Sequence, residues 1–296
     1  MKKILSLTFT ITLLFFLLAC SEDKKAPTES DIDVNKIDKS FKRGLAYNLT
    51  EAADLDTLKN SVSWWYNWHY VTTAPQGYYE DYQMEFIPML WGGNRAVDFT
   101  QVKTFILNHP ETEYLLVLNE PNLTDQANQT PQQAAASWIN YEQVIADLAA
   151  EGRTVYLVGP AMNWGTMTNY SDPVDWLDAF YEAYRSSNNG RDPKIDYLAF
   201  HWYDYGLSQQ LDRLEKYGKQ IWITEMANWN SQINSYEKQA QQMQLMVSIC
   251  ENRSDVFRYA WFIGRGAEDR YTNLFNATPG ELNSLGQLYI SLPYSK

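Results

Sequence analysis

What most constrains the fold of this 296-residue chain is a rhythm: from Gly44 onward, short apolar, β-rich runs alternate with helix-like stretches. Parallel strands need a crossover between neighbours, and a helix is the usual one, so strand-helix alternation reads as a parallel sheet covered by helices. Eight strand-like runs occur: Gly44 to Asn48, Ser63 to Trp68, Phe86 to Trp91, Tyr114 to Glu120, Val155 to Pro160, Asp196 to Tyr203, Ile221 to Glu225 and Phe257 to Phe262. Between them lie helical stretches such as Pro131 to Glu151, Pro173 to Arg185 behind a helix-starting proline, and Tyr236 to Asn252. The 214 residues from Asn48 to Phe262 make seven steps, about 31 residues each, the length of a βα unit. The expectation is an α/β fold, a single (β/α)8 TIM barrel over residues 41–296. A doubly wound open sheet is the rival, but no strand run is followed by Gly-x-Gly-x-x-Gly or a phosphate loop.

The first forty residues have a different character. Lys2 and Lys3 precede an apolar run from Ile4 to Leu18 that ends in Leu17-Leu18-Ala19-Cys20. The run is short for a membrane span and has the layout of a secretory leader. Its ending resembles a bacterial lipobox, which implies cleavage before Cys20, acylation of Cys20, and an exported lipoprotein whose contact with the membrane is the lipid anchor. Which membrane face it reaches is left open. Residues 21–40 are polar, charged and poor in aromatics, so they read as a flexible tether.

Composition narrows the partners. A formal net charge of -12 repels phosphate backbones, so nucleic acid is excluded as a partner. Eleven Trp and 21 Tyr exceed what a core needs and suggest a stacking surface for a neutral ligand such as a sugar. The two cysteines, Cys20 and Cys250, do not suggest a disulfide, and Cys250 reads as a small buried hydrophobe. With three histidines, His69, His109 and His201, the chain has no His-x-His or His-Glu-x-x-His run. No metal and no cofactor are expected. The absence of a Gly-x-Ser-x-Gly turn argues against a serine esterase.

Carboxylates remain. Glycoside cleavage passes through a cationic sugar ring and uses one carboxyl to protonate the leaving oxygen and a second to meet the cation. Glu120 ends the run Leu115-Leu116-Val117-Leu118, and Glu225 ends Gln220-Ile221-Trp222-Ile223-Thr224, both at the strand ends where a barrel carries its active face. They lie 105 residues apart, about 35 for each of three βα units. That spacing places them on strands four and seven, facing one another at about 5 Å, the separation of a retaining pair. Asn119 beside Glu120 can hydrogen-bond a sugar 2-hydroxyl. Aromatics cluster at the same strand ends, and strand alternation should bury about half of them. Tyr47, Trp68, Tyr203 and Trp261 are assigned to the substrate, with His201 near Glu225 or a sugar hydroxyl.

Asn119-Glu120-Pro121-Asn122, followed by Gln126-Ala127-Asn128, Pro131, Ala134-Ala135 and Trp138, resembles the acid/base segment of the clan A glycoside hydrolases, and within them of glycoside hydrolase family 128, the β-1,3-glucanases. Gly159-Pro160-Ala161, Trp176-Leu177, Ile195-Asp196 and His201-Trp202-Tyr203 are similar to that family's fifth and sixth strand regions. Trp222-Ile223-Thr224-Glu225 looks like its nucleophile segment, and Arg258-Tyr259-Ala260-Trp261-Phe262 like its eighth strand. The resemblance implies Glu120 as proton donor and Glu225 as nucleophile on a β-glucan polysaccharide or oligosaccharide; separately, a monomer is expected. The chain departs from the family at Asp204, where a glycine is commoner, and in the charged loop Arg265 to Tyr271. The same carboxylates on another linkage, or a non-catalytic glycan-binding lipoprotein, are the alternatives.

Overall fold

The computed structural model describes residues 37–92, 98–267 and 270–295. The leader, Cys20 and the tether before Ile37 lie outside the described residues. The compact unit starts at Ile37, four residues inside the segment the sequence assigns to the tether. The reason is polar anchoring: Lys39 Nζ donates to the carbonyls of Lys59, Val62 and Tyr82, and Ser40 Oγ donates to Glu251 at 2.6 Å.

Strands and helices alternate along the unit as β1 Arg43–Ala46, α1 Ala52–Leu58, β2 Trp64–Tyr66, α2 Tyr78–Tyr82, β3 Glu85–Phe86, β4 Met89–Leu90, α3 Phe99–Asn108 and β5 Tyr114–Val117. They continue as α4 Pro131–Ala150, β6 Tyr156–Met162, α5 Pro173–Ser187, β7 Tyr197–Trp202, α6 Leu207–Leu214, β8 Ile221–Met226, α7 Tyr236–Asn252, β9 Val256–Trp261 and α8 Ser284–Ser291. The nine strands form one all-parallel sheet in the order β3-β2-β1-β9-β8-β7-β6-β5-β4. Its two end strands, β3 and β4, are consecutive in the chain, separated by Ile87-Pro88. The third expected strand is thus divided in two, because Pro88 has no N–H to offer the ladder.

The long helices begin where the sequence supplies caps. Thr130 and Gln133 make a reciprocal capping box ahead of Pro131 in α4, and Asp172 caps α5 ahead of Pro173. The fourth expected strand stops early, at Val117, because Leu118 and Glu120 take positive φ angles of 58° and 44° and leave the pleat.

Indoles and one ion pair fill the inside of the sheet near its N-terminal edge. Arg258 on β9 donates to Glu85 at 2.8 Å, and its guanidinium lies over the rings of Trp222, Tyr114 and Phe41 at 4.9, 4.8 and 4.6 Å. Both ion-pair partners are buried. The close fit is visible at Gly44, where a Cβ would lie 2.2 Å from the Trp64 indole.

Candidate active site

The C-terminal strand ends surround a cavity of about 560 Å³ lined by Trp68, Trp91, Asn119, Glu120, Asn163, Tyr203, Glu225, Trp229, Phe262 and residues of the loop after Glu120. Glu120 follows β5, and its N–H donates to Ala161 O at 2.8 Å, which continues the β5–β6 pairing past the strand proper. Glu225 lies in β8 opposite His201 of β7, just past an irregularity in the β7–β8 register. A further shift between β8 and β9 spans Ile223 to Met226. Such shifts re-aim side chains at strand ends, here in the stretch of β8 that carries Glu225.

The two carboxyls are buried, Glu120 at 7% exposure and Glu225 at 6%. An oxygen of each and a ring nitrogen of His201 all lie within 4.8 Å of one another. Their partners divide cleanly. Glu225 Oε1 accepts from Tyr66 OH at 2.8 Å and Trp68 Nε1 at 2.7 Å, and Oε2 accepts from Tyr203 OH. Glu120 Oε1 accepts from Asn163 Nδ2 at 2.8 Å and sits 2.8 Å from His201 Nδ1, which is also 3.4 Å from Glu225 Oε2.

These contacts set the protonation states. Burial pushes the Glu120 carboxyl up, but the hydrogen bond and charge of His201 and the Asn163 amide outweigh it, so the group rests below its ordinary value. Burial pushes the His201 imidazole down, and the charge of Glu225 together with the bond to Glu120 reverses this and holds it above its ordinary value. Burial and then Glu225 push the Tyr66 and Tyr203 phenols far upward, so both remain protonated donors. Glu120, His201 and Glu225 are also the side chains among the described residues grouped closely enough to ligate a metal. Each is instead engaged by its neighbours through the bonds above.

The sequence-assigned residues distribute unevenly. Glu120, Glu225 and Asn119 line the cavity, and Asn119 Oδ1 is buried with no hydrogen-bond partner among the described residues. Trp68 and Tyr203 line it too, but their polar atoms hold Glu225, a task not anticipated for them. His201 is fully buried between the carboxyls, with Nδ1 2.8 Å from Glu120 Oε1 and 3.4 Å from Glu225 Oε2. Trp261 is a correction: it is 0% exposed, its N–H donates to Thr272 O, and its ring packs near Tyr289 of α8, because its parity on β9 turns it to the helix layer. Tyr47 is half-buried outside the cavity lining, with its ring beside Gly264. Sequence reasoning missed Tyr66 and Asn163. Tyr66 had a signal, the spacing Trp64, Tyr66, Trp68 that puts all three on one strand face. Trp229, 37% exposed and stacked on Tyr203 at 3.8 Å, supplies the accessible aromatic wall.

Comparison with known proteins places this geometry. Residues 44–289 match the model of a family described as glycosyl hydrolase catalytic core. A glycoside hydrolase family 128 endo-β-1,3-glucanase of subgroup II from Pseudomonas viridiflava is 55% identical, covering 87% of this chain and 100% of that one, with a TM-score of 0.82. Its subgroup II counterpart from Sorangium cellulosum is 33% identical, covering 86% and 100%, with a TM-score of 0.72. The alkali-sensitive linkage protein 1 of Schizosaccharomyces pombe is 29% identical over 265 residues, which are 85% of this chain and 45% of that protein. The chain therefore spans less than half the length of that curated relative. A family model that spans nearly the whole compact unit, with such relatives beside it, shows that the chain belongs to the glycosyl hydrolase catalytic-core family and is a glycoside hydrolase of family 128.

Proposed function

We propose that the chain hydrolyses β-1,3-glucosidic bonds of a glucan by double displacement, with Glu225 as nucleophile and Glu120 as acid/base. The observation that carries this reading is the approach of the two carboxyls to within 4.8 Å. An inverting pair needs roughly 6.5–9.5 Å to admit a water, while a retaining pair works at about 5–5.5 Å. The linkage comes from the two endo-β-1,3-glucanases, whose whole length this chain covers. On the same reading the sheet is a closed (β/α)8 barrel in which β3 and β4 are two halves of one strand.

In the first step Glu225 attacks the anomeric carbon while Glu120 protonates the departing oxygen. In the second Glu120 takes a proton from water, whose oxygen displaces Glu225. Tyr66, Trp68 and Tyr203 fix the Glu225 carboxylate, and Asn119 Oδ1 accepts from the sugar 2-hydroxyl. Trp229 stacks on a sugar face. No cofactor or metal takes part.

Residues 37–296 should release oligosaccharides from a linear β-1,3-glucan and not from β-1,4-mannan, and Glu225→Ala should release none while still binding the glucan. The first-formed reducing end should keep the β configuration by proton NMR. Products from another glycan alone overturn the linkage, and an α product overturns double displacement. The leader and Cys20 extend the proposal to an exported, monomeric lipoprotein. Its check is fatty-acid labelling, which Cys20→Ser should abolish.

A further inference from the structure

An acid/base carboxyl must begin the reaction protonated, yet Glu120 rests below its ordinary pKa because a buried imidazole sits against it. That conflict is resolved by asking where the proton is. His201 Nδ1 faces two carboxyl oxygens, Glu120 Oε1 at 2.8 Å and Glu225 Oε2 at 3.4 Å. Carboxylate oxygens and a bare imidazole nitrogen are all acceptors, so this arrangement holds only if a proton lies on the Nδ1–Oε1 line. It can sit on Nδ1, leaving Glu120 ionised, or on Oε1, leaving His201 neutral with its remaining proton on Nε2. The two forms differ by a transfer along one hydrogen bond and have the same total charge.

We propose that the proton Glu120 gives to the leaving oxygen is stored between turnovers on His201 Nδ1, so that imidazole and carboxyl share it through the cycle. This rests on the reading of Glu120 as acid/base and Glu225 as nucleophile.

At rest the trio is His201 cation, Glu120 anion and Glu225 anion, net -1. Proton transfer from Nδ1 to Oε1 makes His201 and Glu120 neutral, still -1. As the Glu225–carbon bond forms and the carbon–oxygen bond breaks, that proton leaves with the departing oxygen, giving neutral His201, anionic Glu120 and an esterified Glu225, again -1. Water then gives its proton to Glu120 and its oxygen to the anomeric carbon, Glu225 departs as carboxylate, and the proton returns to Nδ1. The buried trio carries the same charge at every stage, which avoids the cost of changing charge in a desolvated site. Esterification of Glu225 removes the larger of the two charges that hold the imidazole protonated. His201 is therefore neutral when Glu120 must act as base, and with no proton left on the Nδ1–Oε1 line at that stage the contact loosens until water supplies one. The other titratable groups beside the trio, Tyr66 and Tyr203, stay protonated throughout and bind Glu225 alone. His201 touches no substrate and acts through Glu120 as a positioning residue.

The direct test is 15N NMR of the histidine-labelled protein, with three histidines assigned through His69→Gln and His109→Gln. His201 should stay doubly protonated above about pH 6.5, the ordinary histidine value, and its midpoint should fall in Glu225→Gln. A neutral His201 at that pH, or a midpoint unmoved by Glu225→Gln, overturns the proposal. The kinetic test is the pH profile of kcat/KM on β-1,3-glucan for His201→Gln. Its basic limb should move to lower pH, giving a loss of about 100-fold at alkaline pH that shrinks severalfold or more near pH 5. An activated aryl β-glucoside, whose leaving group needs no proton, should lose far less. An equal loss at every pH on both substrates marks a merely structural role and overturns it. A wild-type protein that does not cleave β-1,3-glucan defeats the parent reading instead, which the NMR titration does not depend on.

Discussion

Replacing Arg258 by Met probes the charge buried beneath the active site. The residue is 4% exposed, its Nη1 meets Glu85 Oε2 at 2.8 Å, and five aromatic rings surround its guanidinium. Met fills much of the same volume but leaves the Glu85 carboxylate without its cation. Breaking a buried pair by removing one partner costs about 3–5 kcal/mol. For a domain of this size each kcal/mol lowers Tm by roughly 2–4 °C, so the expected fall is about 6–20 °C near pH 8. Burial already pushes the Glu85 carboxyl up against the pull of Arg258, and without Arg258 it rises further. A carboxyl whose folded pKa is raised binds more protons folded than unfolded. The destabilisation should therefore shrink as pH falls toward the unfolded carboxylate value of about 4.3. Adding Glu85→Gln should recover most of the loss at pH 8. Calorimetry at pH 5 and pH 8 on both variants decides it. A fall below 2 °C for Arg258→Met at pH 8, or an equal fall at both pH values, would refute the reasoning.

Trp68→Phe removes one donor to Glu225 Oε1 and leaves Tyr66. A hydrogen bond to a charged group contributes about 1.5–3 kcal/mol, so kcat on β-1,3-glucan should fall about 10- to 100-fold, measured with KM under saturation. Gly165→Ala places a methyl 2.2 Å from Asn122 O, in the loop whose Asn163 holds Glu120. It should lower both Tm and kcat/KM, whereas the more open Gly190→Ala should leave kcat/KM unchanged. The His201–Glu120 pair adds stability at mildly acidic pH. His201, raised when folded, contributes fully below about pH 6.5 and loses its contribution as pH rises through its folded value, while Glu120, lowered when folded, contributes above about pH 4.3. The Tm gap between wild type and His201→Gln should peak near pH 5–6 and narrow toward pH 9.

Strand and helix order was legible in the sequence because short apolar β runs alternate with longer polar stretches of helical period, and Pro131 and Pro173 mark two helix starts. The carboxyl pair was legible for a related reason: a Glu closing an apolar run has nowhere to go but the strand end. The third strand's division at Ile87-Pro88 was less visible, since its apolar pattern runs through the proline. Side-chain direction was the main loss. Trp261 and Trp68 are both indoles at strand ends, but one turns to α8 and the other turns its N–H to Glu225 from a backbone with φ of 61°. Composition does not distinguish those two, whereas a positive φ and a register shift do, and both arise from tertiary packing.

The segment before β1 also fixes a direction. Lys39 reaches carbonyls at Lys59, Val62 and Tyr82, just ahead of β2 and β3, and Lys42 reaches the carbonyls of Cys250, Glu251 and Arg253 at the end of α7. All of these lie where strands begin, whereas Glu120 and Glu225 lie where strands end. The chain thus enters the unit on the face opposite its cleft.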